Sequence, residues 1–302
     1  MDISRLRALR ELASRQTMAA VAEALYLTPS AVSQQISQLE EEVGVPLTER
    51  FGRGVRLTRA GEVLVSHAER VLTVLDEAKS DLAELSREIA GVLRVAAFPT
   101  VAAALLPRAI QSLREQYPHL EIMANELEPA DGLAALGSWN ADIALVDDLT
   151  LQLGGRHKHV DQVPLVEDVL YVVLPSSHQF AKRQSLSVSD LSSERWALDS
   201  ASSFFAEFVR NLCRRAGYEP RVTAECRGFE MVRALVAAKC SISIVPGLRR
   251  SQSHSGVVFV KLRPEVRRKI SIAYRHGERN HPAIKVFIAA LIQSAKESVT
   301  QS

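Results

Sequence analysis

The chain has 302 residues, of which 47% are apolar and 24% are charged, and its formal net charge is +2. This length predicts two or three folding units, and the composition excludes a chain too polar to bury a core in each. Because the net charge is so small, it does not indicate a nucleic-acid partner. A DNA-binding function therefore has to be argued from where the charges lie.

The N-terminus and the cysteines predict a cytoplasmic protein. Residues 1–7 carry charges where a secretory signal would have its apolar region. No uninterrupted apolar run is long enough to cross a bilayer, so we expect no membrane partner. Cys213, Cys226 and Cys240 are odd in number and widely spaced, which fits a reducing compartment without disulfides.

The first part of the chain predicts three short helices. Apolar residues recur at helical spacing in the first helix, at Ile3, Leu6, Leu9 and Leu12. The alanine-rich stretch Met18–Leu25 predicts a second helix that a neighbour can approach closely. Thr28 is a good N-cap and Pro29 suits the first helical position, so a third helix is predicted over Pro29–Glu42.

The third helix has one apolar face and one polar face that is nearly uncharged. A solvated surface helix usually carries Lys and Glu, whereas this face carries hydroxyl and amide groups. Such groups form hydrogen bonds with base edges and phosphates in a major groove. A polar helix in a helical bundle is the alternative, and the helix alone does not decide between the two. The polar face holds Ser30, Ser33, Gln34, Ser37 and Gln38.

A glycine-containing, arginine-rich segment follows. Gly44 ends the third helix, and Gly52 and Gly54 allow a tight turn between two short strands. An arginine-bearing hairpin is typical of a wing that contacts the phosphate backbone or the minor groove. This second pattern favours DNA binding over the bundle alternative. The arginines of the hairpin are Arg50, Arg53 and Arg56.

In order and spacing, this region resembles the signature of LysR-type transcriptional regulators. Matching positions include Ala22–Leu25, Thr28–Ser33, Gly44 and Leu57–Gly61, whereas Thr48 replaces a usual aromatic residue. The resemblance implies a winged helix-turn-helix in residues 1–60, with double-stranded promoter DNA as its partner. Under this hypothesis, base edges are contacted by Ser30, Ala31 and Gln34. Residues nearer the phosphates are Ser33, Gln35 and Ser37, with Arg50, Arg53 and Arg56 acting from the wing. Gln38 is a further predicted DNA-binding residue.

Residues 61–90 predict a long linker helix that forms a dimer. Between Leu64 and Ile89 there is no Pro or Gly, and apolar residues recur at alternating spacings of four and three, as in a coiled coil. A helix packed on its own domain is the alternative. The family resemblance implies a homodimer or homotetramer. The predicted seam is Leu64, Ala68, Val71, Leu75, Ala78, Leu82, Leu85 and Ile89.

Residues 91–302 alternate predicted strands and helices, the pattern of an α/β domain. More loosely, they resemble the effector-binding domain of the same family, which has the two-lobed fold of type 2 periplasmic binding proteins. The resemblance implies lobe I in residues 91–163 and 263–302, and lobe II in residues 164–262. Strands are predicted at 92–98, 120–123, 141–146, 169–174, 242–246, 257–262 and 269–274, and helices at 100–116, 204–216, 229–238 and 282–296.

Ligands of two-lobed folds bind in the cleft, near strand ends and helix N-termini. Two hydroxyl-bearing turns, one in each lobe, suit a small-molecule effector, with a small carboxylate as the favoured class. The same hydroxyls also suit ordinary helix N-caps, which is the alternative. The predicted effector-binding residues are Thr100, Val101, Ser200, Ser202, Ser203, Phe229 and Glu230.

No nucleotide-binding fingerprint or reactive constellation is found, so we predict neither an enzyme nor a cofactor. His157 and His159 have no neighbouring Cys, which favours a solvated loop over a metal site. Cys213 and Cys226 allow a redox-switch hypothesis, but small core residues are the favoured interpretation. The cations between Arg249 and Arg275 are interpreted as a solvated face, with DNA or another subunit as alternatives.

Two rival functions stay open. One is a DNA-binding architectural protein or repressor without an effector. The other is an enzyme or solute carrier that uses the two-lobed fold, which leaves residues 18–59 without a role. The favoured prediction is a regulator, with RNA polymerase as a further partner if it activates transcription.

Overall fold

A computed structural model describes residues 1–52, 54–86, 88–149, 160–199, 203–250 and 255–300. It confirms the predicted fold class, an N-terminal winged helix-turn-helix, a long helix and a two-lobed α/β domain. Within the described part of the chain, no helix combines the length and the apolar character that a membrane span requires.

The N-terminal unit contains helices α1 (Ile3–Arg15), α2 (Met18–Leu25) and α3 (Pro29–Val43). The Thr17 and Thr28 hydroxyls cap α2 and α3 by accepting backbone N–H groups. Between these two helices, Tyr26 takes the left-handed conformation that closes a tight turn. Strands β1 (Thr48–Phe51) and β2 (Gly54–Leu57) then pair antiparallel as the wing.

Helix α4 (Arg59–Glu84) is shorter than the sequence predicts. Its heptad pattern continues to Ile89 and the predicted linker runs to residue 90, yet the helix ends at Glu84 and strand β3 (Gly91–Ala97) follows. After the helix, the Ser86 hydroxyl donates to the Glu88 carbonyl oxygen, a local bond that competes with helix continuation.

Helix α4 has two faces with different partners. Ala68, Leu72, Asp76 and Ser80 recur every four residues and are buried within the chain itself. A second, apolar stripe faces solvent in the single chain. Its members Val71, Val74, Leu82 and Leu85 are 45%, 60%, 69% and 80% exposed.

Lobe I is built on one side of the large sheet. Its strands β3, β4 (Leu120–Glu126) and β5 (Ile143–Asp147) run parallel, with β3 between the other two. The helices of this lobe are α5 (Pro99–Gln116), α6 (Pro129–Gly137) and α9 (Pro282–Thr300). Helix α6 is missing from the sequence prediction.

Strand β6 (Val160–Pro175) belongs to both lobes. Up to Val169 it pairs with β12 (Arg267–Arg275), and from Leu170 it pairs with β10 (Ser243–Pro246) and β11 (Val257–Leu262). This change of partner strand lies several residues beyond residue 164, where the family resemblance implies that lobe II begins. The bounds of the domains and lobes stay predictions.

Lobe II surrounds the fully buried Trp196. Its remaining elements are the two-residue strand β7 (Ser185–Leu186), the parallel pair β8 (Arg195–Asp199) and β9 (Arg221–Cys226), and helices α7 (Ser203–Arg215) and α8 (Phe229–Ala237). Between α8 and β10, Lys239 has φ of 61°, so a non-glycine residue takes the left-handed conformation.

Candidate DNA interface and ligand cleft

Helix α3 presents one open polar face. Its apolar side, Val32, Ile36 and Leu39, is at most 2% exposed and packs in the N-terminal core. On the opposite side of the helix are the exposed residues Ser30, Ser33, Gln34 and Ser37. A row of hydroxyl and amide groups is thus presented to a partner without disturbing the core.

Three predicted contact residues on α3 lie away from the centre of this face. Ala31 and Gln38 are half-buried at its margins. Gln35 is half-buried next to the core side, and its Oε1 is buried without a hydrogen-bond partner. The structure therefore does not bring Gln35 together with the other polar residues.

Helix α3 also holds the wing in place. Glu40 Oε1 accepts hydrogen bonds from the backbone N–H groups of Leu47 (2.8 Å) and Thr48 (2.9 Å), and from the Thr48 hydroxyl (3.0 Å). Thr48, which stands where an aromatic residue is usual, thus donates hydrogen bonds to α3. One carboxylate joins α3 to the first wing strand.

The wing arginines have different surroundings. Arg50 is exposed, and its side chain has no ion-pair or hydrogen-bond partner in the described part of the chain. Arg56 donates to Glu49 at 2.6 and 2.9 Å and lies 4.9 Å from the centre of the Phe51 ring. Arg53 lies outside the described residues. Arg50 is therefore the better-placed cation for a phosphate, since Glu49 partly neutralises Arg56.

A cleft of about 510 Å³ lies between the two lobes. Both lobes contribute aromatic and charged side chains to its walls. The lining residues are Phe98, Pro99, Thr100, Glu128, Asp147, Asp199, Phe205, Phe229, Ile244, Val245, Pro246, Arg249 and Arg268.

Thr100 supplies a hydroxyl to the cleft. The residue is 8% exposed, and its hydroxyl has no hydrogen-bond partner among the described residues. It is the second residue of α5, whose N-cap, Phe98, offers no capping side chain. The end of α5 is thus open to a ligand that accepts hydrogen bonds. Val101, predicted beside it, is wrong as a cleft residue because it is fully buried in the lobe I core.

On the lobe II side, Phe229 lines the cleft as predicted, at the uncapped start of α8. Glu230 does not line the cleft, because its side chain is 77% exposed and pairs with Arg233 at 3.6 Å. Ser200 and Ser202 lie outside the described residues. Ser203 begins α7, and nothing is described of its side chain.

The buried charges of the cleft were missed by the sequence interpretation. Arg268 is 3% exposed, so a solvated role is wrong for it. Its Nε and Nη2 donate to Asp168 Oδ2 at 3.0 and 2.8 Å, and its Nη1 lies 3.8 Å from Asp147 Oδ2. Burial raises the pKa of the Asp168 carboxyl, although Arg268 opposes this. The available signal was strand alternation, which puts Arg268 on the face of Ile270 and Ile272.

The sequence raised thiol oxidation at Cys213 and Cys226, and metal binding at His157 and His159, as possible functions. Cys213 and Cys226 are fully buried, and burial raises the pKa of both thiols, which keeps them protonated. This supports the interpretation of both as core residues. His157 and His159 lie outside the described residues. Among the residues that are described, no group of three or more His, Cys, Asp or Glu has a metal-binding arrangement.

Comparison with known proteins matches both parts of the chain to family models. Residues 3–62 match the model of the bacterial regulatory helix-turn-helix protein, lysR family. Residues 86–296 match the model of the LysR substrate binding domain.

Full-length relatives cover nearly the whole chain. GltC of Bacillus subtilis (strain 168), a transcriptional dual regulator, is 27% identical over 298 residues, 98% of this chain and 95% of that protein. OxyR of Escherichia coli (strain K12), a DNA-binding transcriptional dual regulator, is 29% identical over 280 residues, 92% of this chain and 90% of that protein.

Solved structures share the fold. Full-length OxyR from Pseudomonas aeruginosa has a TM-score of 0.65 at 23% identity, with 97% of this chain and 98% of that chain covered. CbnR in complex with its target DNA has a TM-score of 0.55 at 22% identity, with coverage of 97% and 100%. Since the substrate-domain model alone matches more than half of the chain, the protein belongs to the LysR family of DNA-binding transcriptional regulators.

Proposed function

We propose that this regulator is controlled by a small-molecule effector, favoured to be a carboxylate, that binds between the two lobes. The observation that carries this proposal is the Thr100 hydroxyl, which lines the cleft at the uncapped start of α5 and has no hydrogen-bond partner among the described residues. A hydrogen bond from this hydroxyl to a bound acceptor would contribute about 0.5–1.5 kcal/mol. Relatives of the family are transcriptional regulators, so we assign no enzymatic reaction.

Arg249 lines the cleft on the lobe II side, where its guanidinium would attract an anionic group of a ligand. Burial lowers the pKa of Arg249, a consequence of the water that its guanidinium has lost. A carboxylate between Arg249 and the start of α5 would add charge-assisted hydrogen bonds to the guanidinium. The nearby carboxylates Glu128, Asp147 and Asp199 disfavour a ligand that carries several negative charges.

The effector site has a direct test in the melting temperature of the protein. A panel of small carboxylates is screened for thermal stabilisation, which reaches about 2.7 kcal/mol at a hundredfold excess over Kd. For any ligand that stabilises the protein, Thr100→Ala is expected to weaken binding about tenfold, the value of one hydrogen bond. Thr100→Ser, which keeps the hydroxyl, is the matched control. An unchanged Kd in Thr100→Ala would remove Thr100 from the site.

The DNA interface is proposed to divide its work between helix and wing. Ser30, Ala31 and Gln34 contact base edges, and Ser33, Ser37 and Gln38 lie near phosphates. Arg50 and Arg56, together with Arg53 outside the described residues, contact the backbone from the wing. This division is supported by the open polar face of α3 and by the partnerless Arg50.

Gln34→Ala and Arg50→Ala are expected to weaken DNA binding differently. Gln34→Ala loses about 1–3 kcal/mol on the specific duplex and little on a scrambled one. Arg50→Ala weakens binding to both duplexes and lowers the slope of log K against log salt by about 1. Fluorescence anisotropy measures both effects on DNA from upstream of the regulator's own gene. The control is Gln111→Ala, an exposed glutamine on α5. Equal losses on both duplexes in both variants would contradict the division.

We propose that the regulator acts in the cytoplasm as a homodimer or homotetramer. The exposed apolar stripe of α4, which includes Val71, Val74, Leu82 and Leu85, supports pairing with a second α4. Paired helix-turn-helix units would read two half-sites. RNA polymerase is the further partner wherever the outcome is activation.

The surroundings of Cys213 and Cys226 do not favour redox sensing by this pair. Several relatives are named as hydrogen peroxide-inducible genes activators. In this chain, Cys213 and Cys226 are buried and protonated, whereas peroxide reacts with accessible thiolates.

A further inference from the structure

Two consecutive residues of lobe I, Trp139 and Asn140, contact the N-terminal part of the chain. The indole Nε1 of Trp139 donates to Asp76 of α4, with distances of 3.1 and 3.2 Å to the two carboxylate oxygens. Asn140 Nδ2 donates to the Ala24 carbonyl oxygen of α2 at 2.7 Å. Both contacts lie just after the end of α6.

The Trp139 ring also contacts α1. The guanidinium groups of Arg7 and Arg10 lie 4.3 and 4.4 Å from the ring centre. Trp139 has φ of 59°, a left-handed conformation that bulky residues rarely adopt. Strain of this kind persists only where the surroundings impose it, and here contacts with α1 and α4 hold the ring.

A buried ion pair joins the same two parts of the chain. Arg275, at the end of β12, is 5% exposed, and its Nε lies 3.4 Å from Asp76 Oδ2 on α4. Its Nη2 donates to Asp142 at 3.0 Å and to Glu278 at 2.7 Å. A buried charge with one counter-ion on the linker helix makes this contact specific, because separation would break the pairing. The prediction that the cations between Arg249 and Arg275 form a solvated face is therefore wrong for Arg275, as it is for Arg268.

A glycine allows the close approach of these parts. Gly277 lies in a single-turn 3-10 helix, His276–Glu278, that abuts α4. A Cβ on Gly277 would lie 2.5 Å from the Thr73 carbonyl oxygen and 2.9 Å from Asp76 Cβ. The φ of Gly277 is not in the left-handed region, so its own turn does not demand glycine. Glycine is required at this position because α4 packs too closely for a side chain.

Three elements of lobe I connect the cleft with this contact. Helix α6 has Glu128 at its N-cap in the cleft and is followed by Trp139. Strand β12 carries Arg268 in the cleft and ends at Arg275, about 23 Å away at about 3.3 Å per residue. The third is β5, which ends in the cleft at Asp147 and begins beside Asp142, a partner of Arg275.

We propose that Asp76, Trp139 and Arg275 form a latch that transmits the state of the cleft to the DNA-binding unit. A shift of α6, β5 or β12 at the cleft moves the latch residues, because helices and paired strands displace as rigid bodies. The latch then changes the position of α4 and of the winged helix-turn-helix attached to it. The inference rests on the proposed function, since it requires that the cleft be occupied.

The test fills the cleft covalently, so that no effector need be known. Thr100→Cys is made in a Cys240→Ser background, because Cys240 is the exposed cysteine while Cys213 and Cys226 are buried. Iodoacetate then alkylates the new thiol and leaves a carboxymethyl group in the cleft. Anisotropy measures DNA affinity before and after alkylation, in the full-length protein, with the latch intact or disrupted by Gly277→Ala.

With the latch intact, alkylation is expected to change the Kd for DNA by at least about fivefold, the lower end of measured allosteric couplings. With Gly277→Ala, the change is expected to fall below about twofold. Trp139→Phe, which removes the donor to Asp76 and replaces the indole by a smaller ring, is the milder second variant and is expected to give an intermediate change. It keeps the test decisive if Gly277→Ala melts below the assay temperature.

Failure of the latch and failure of the proposed function give different results. An alkylation effect that is equally large with Gly277→Ala and Trp139→Phe would overturn the latch and leave the effector cleft in place. If alkylation changes neither melting temperature nor DNA affinity in any background, the proposed effector control fails and the latch fails with it.

Discussion

Replacing Arg268 by methionine is expected to lower the free energy of unfolding by about 3–5 kcal/mol. Arg268 is 3% exposed and Asp168 is 4% exposed, so the variant leaves a carboxylate in the interior without its cation. Backbone N–H donation from Leu248 to Asp168 Oδ1 at 3.0 Å holds that carboxylate in place. Asp168 therefore cannot move to solvent without losing this bond to the single-turn 3-10 helix Gly247–Arg249.

The neighbouring residue provides a matched control. Arg267 forms ion pairs with Glu167 at 3.1 Å and with Glu265 at 2.5 Å, but its side chain is 54% exposed. Arg267→Met is expected to leave the free energy of unfolding close to that of the parent, because water screens such pairs. Denaturant unfolding of both variants measures the difference. Equal losses in the two variants would show that burial of Arg268 contributes nothing.

The same experiment has a pH dependence with a definite sign. Burial already raises the pKa of Asp168, and loss of Arg268 removes the charge that opposes this rise. A carboxyl whose folded pKa lies above its unfolded value loses stability as pH rises through that interval. The deficit of Arg268→Met is therefore expected to be larger at about pH 8 than at about pH 5. Adding Asp168→Asn to Arg268→Met should remove most of the pH dependence.

The sequence predicts the DNA-binding unit well because its signals are local. Thr28 and Pro29 mark the start of α3 and Gly44 marks its end, and the helix spans Pro29–Val43. The wing follows from Gly52 and Gly54 for the same reason. Each element is specified by residues within or next to it, so no knowledge of distant contacts is needed.

Prediction fails where distant residues decide the outcome. The cation cluster near the C-terminus has the composition of a solvated face, yet Arg268 and Arg275 are buried. Their counter-ions include Asp168, which is 100 residues away, and Asp76 on the linker helix. Helix α6 was missed for a related reason, since Gly132 lies where a Cβ would be 3.3 Å from Ala144 Cβ. A glycine that serves close packing resembles a turn residue in the sequence alone.

Gly61→Ala is expected to destabilise the DNA-binding unit by at least about 3 kcal/mol and to abolish DNA binding at moderate salt. A Cβ at Gly61 would lie 2.1 Å from the Leu47 carbonyl oxygen, well inside contact distance. That oxygen already accepts the Thr58 N–H at 2.9 Å, so it cannot turn away without loss. The clash forces α4 away from the segment that joins α3 to the wing.

The direction of the stability change in Gly61→Ala distinguishes the effect of packing from that of helix propensity. Gly61 lies inside α4, where alanine alone would favour the helix by about 1 kcal/mol. Ser66→Ala, at an exposed position of the same helix, makes a similar change without a clash and is expected to leave stability and DNA affinity near those of the parent. Thermal unfolding and anisotropy compare the two variants. If Gly61→Ala bound DNA as tightly as Ser66→Ala, the contact between α4 and Leu47 would not hold the wing in position.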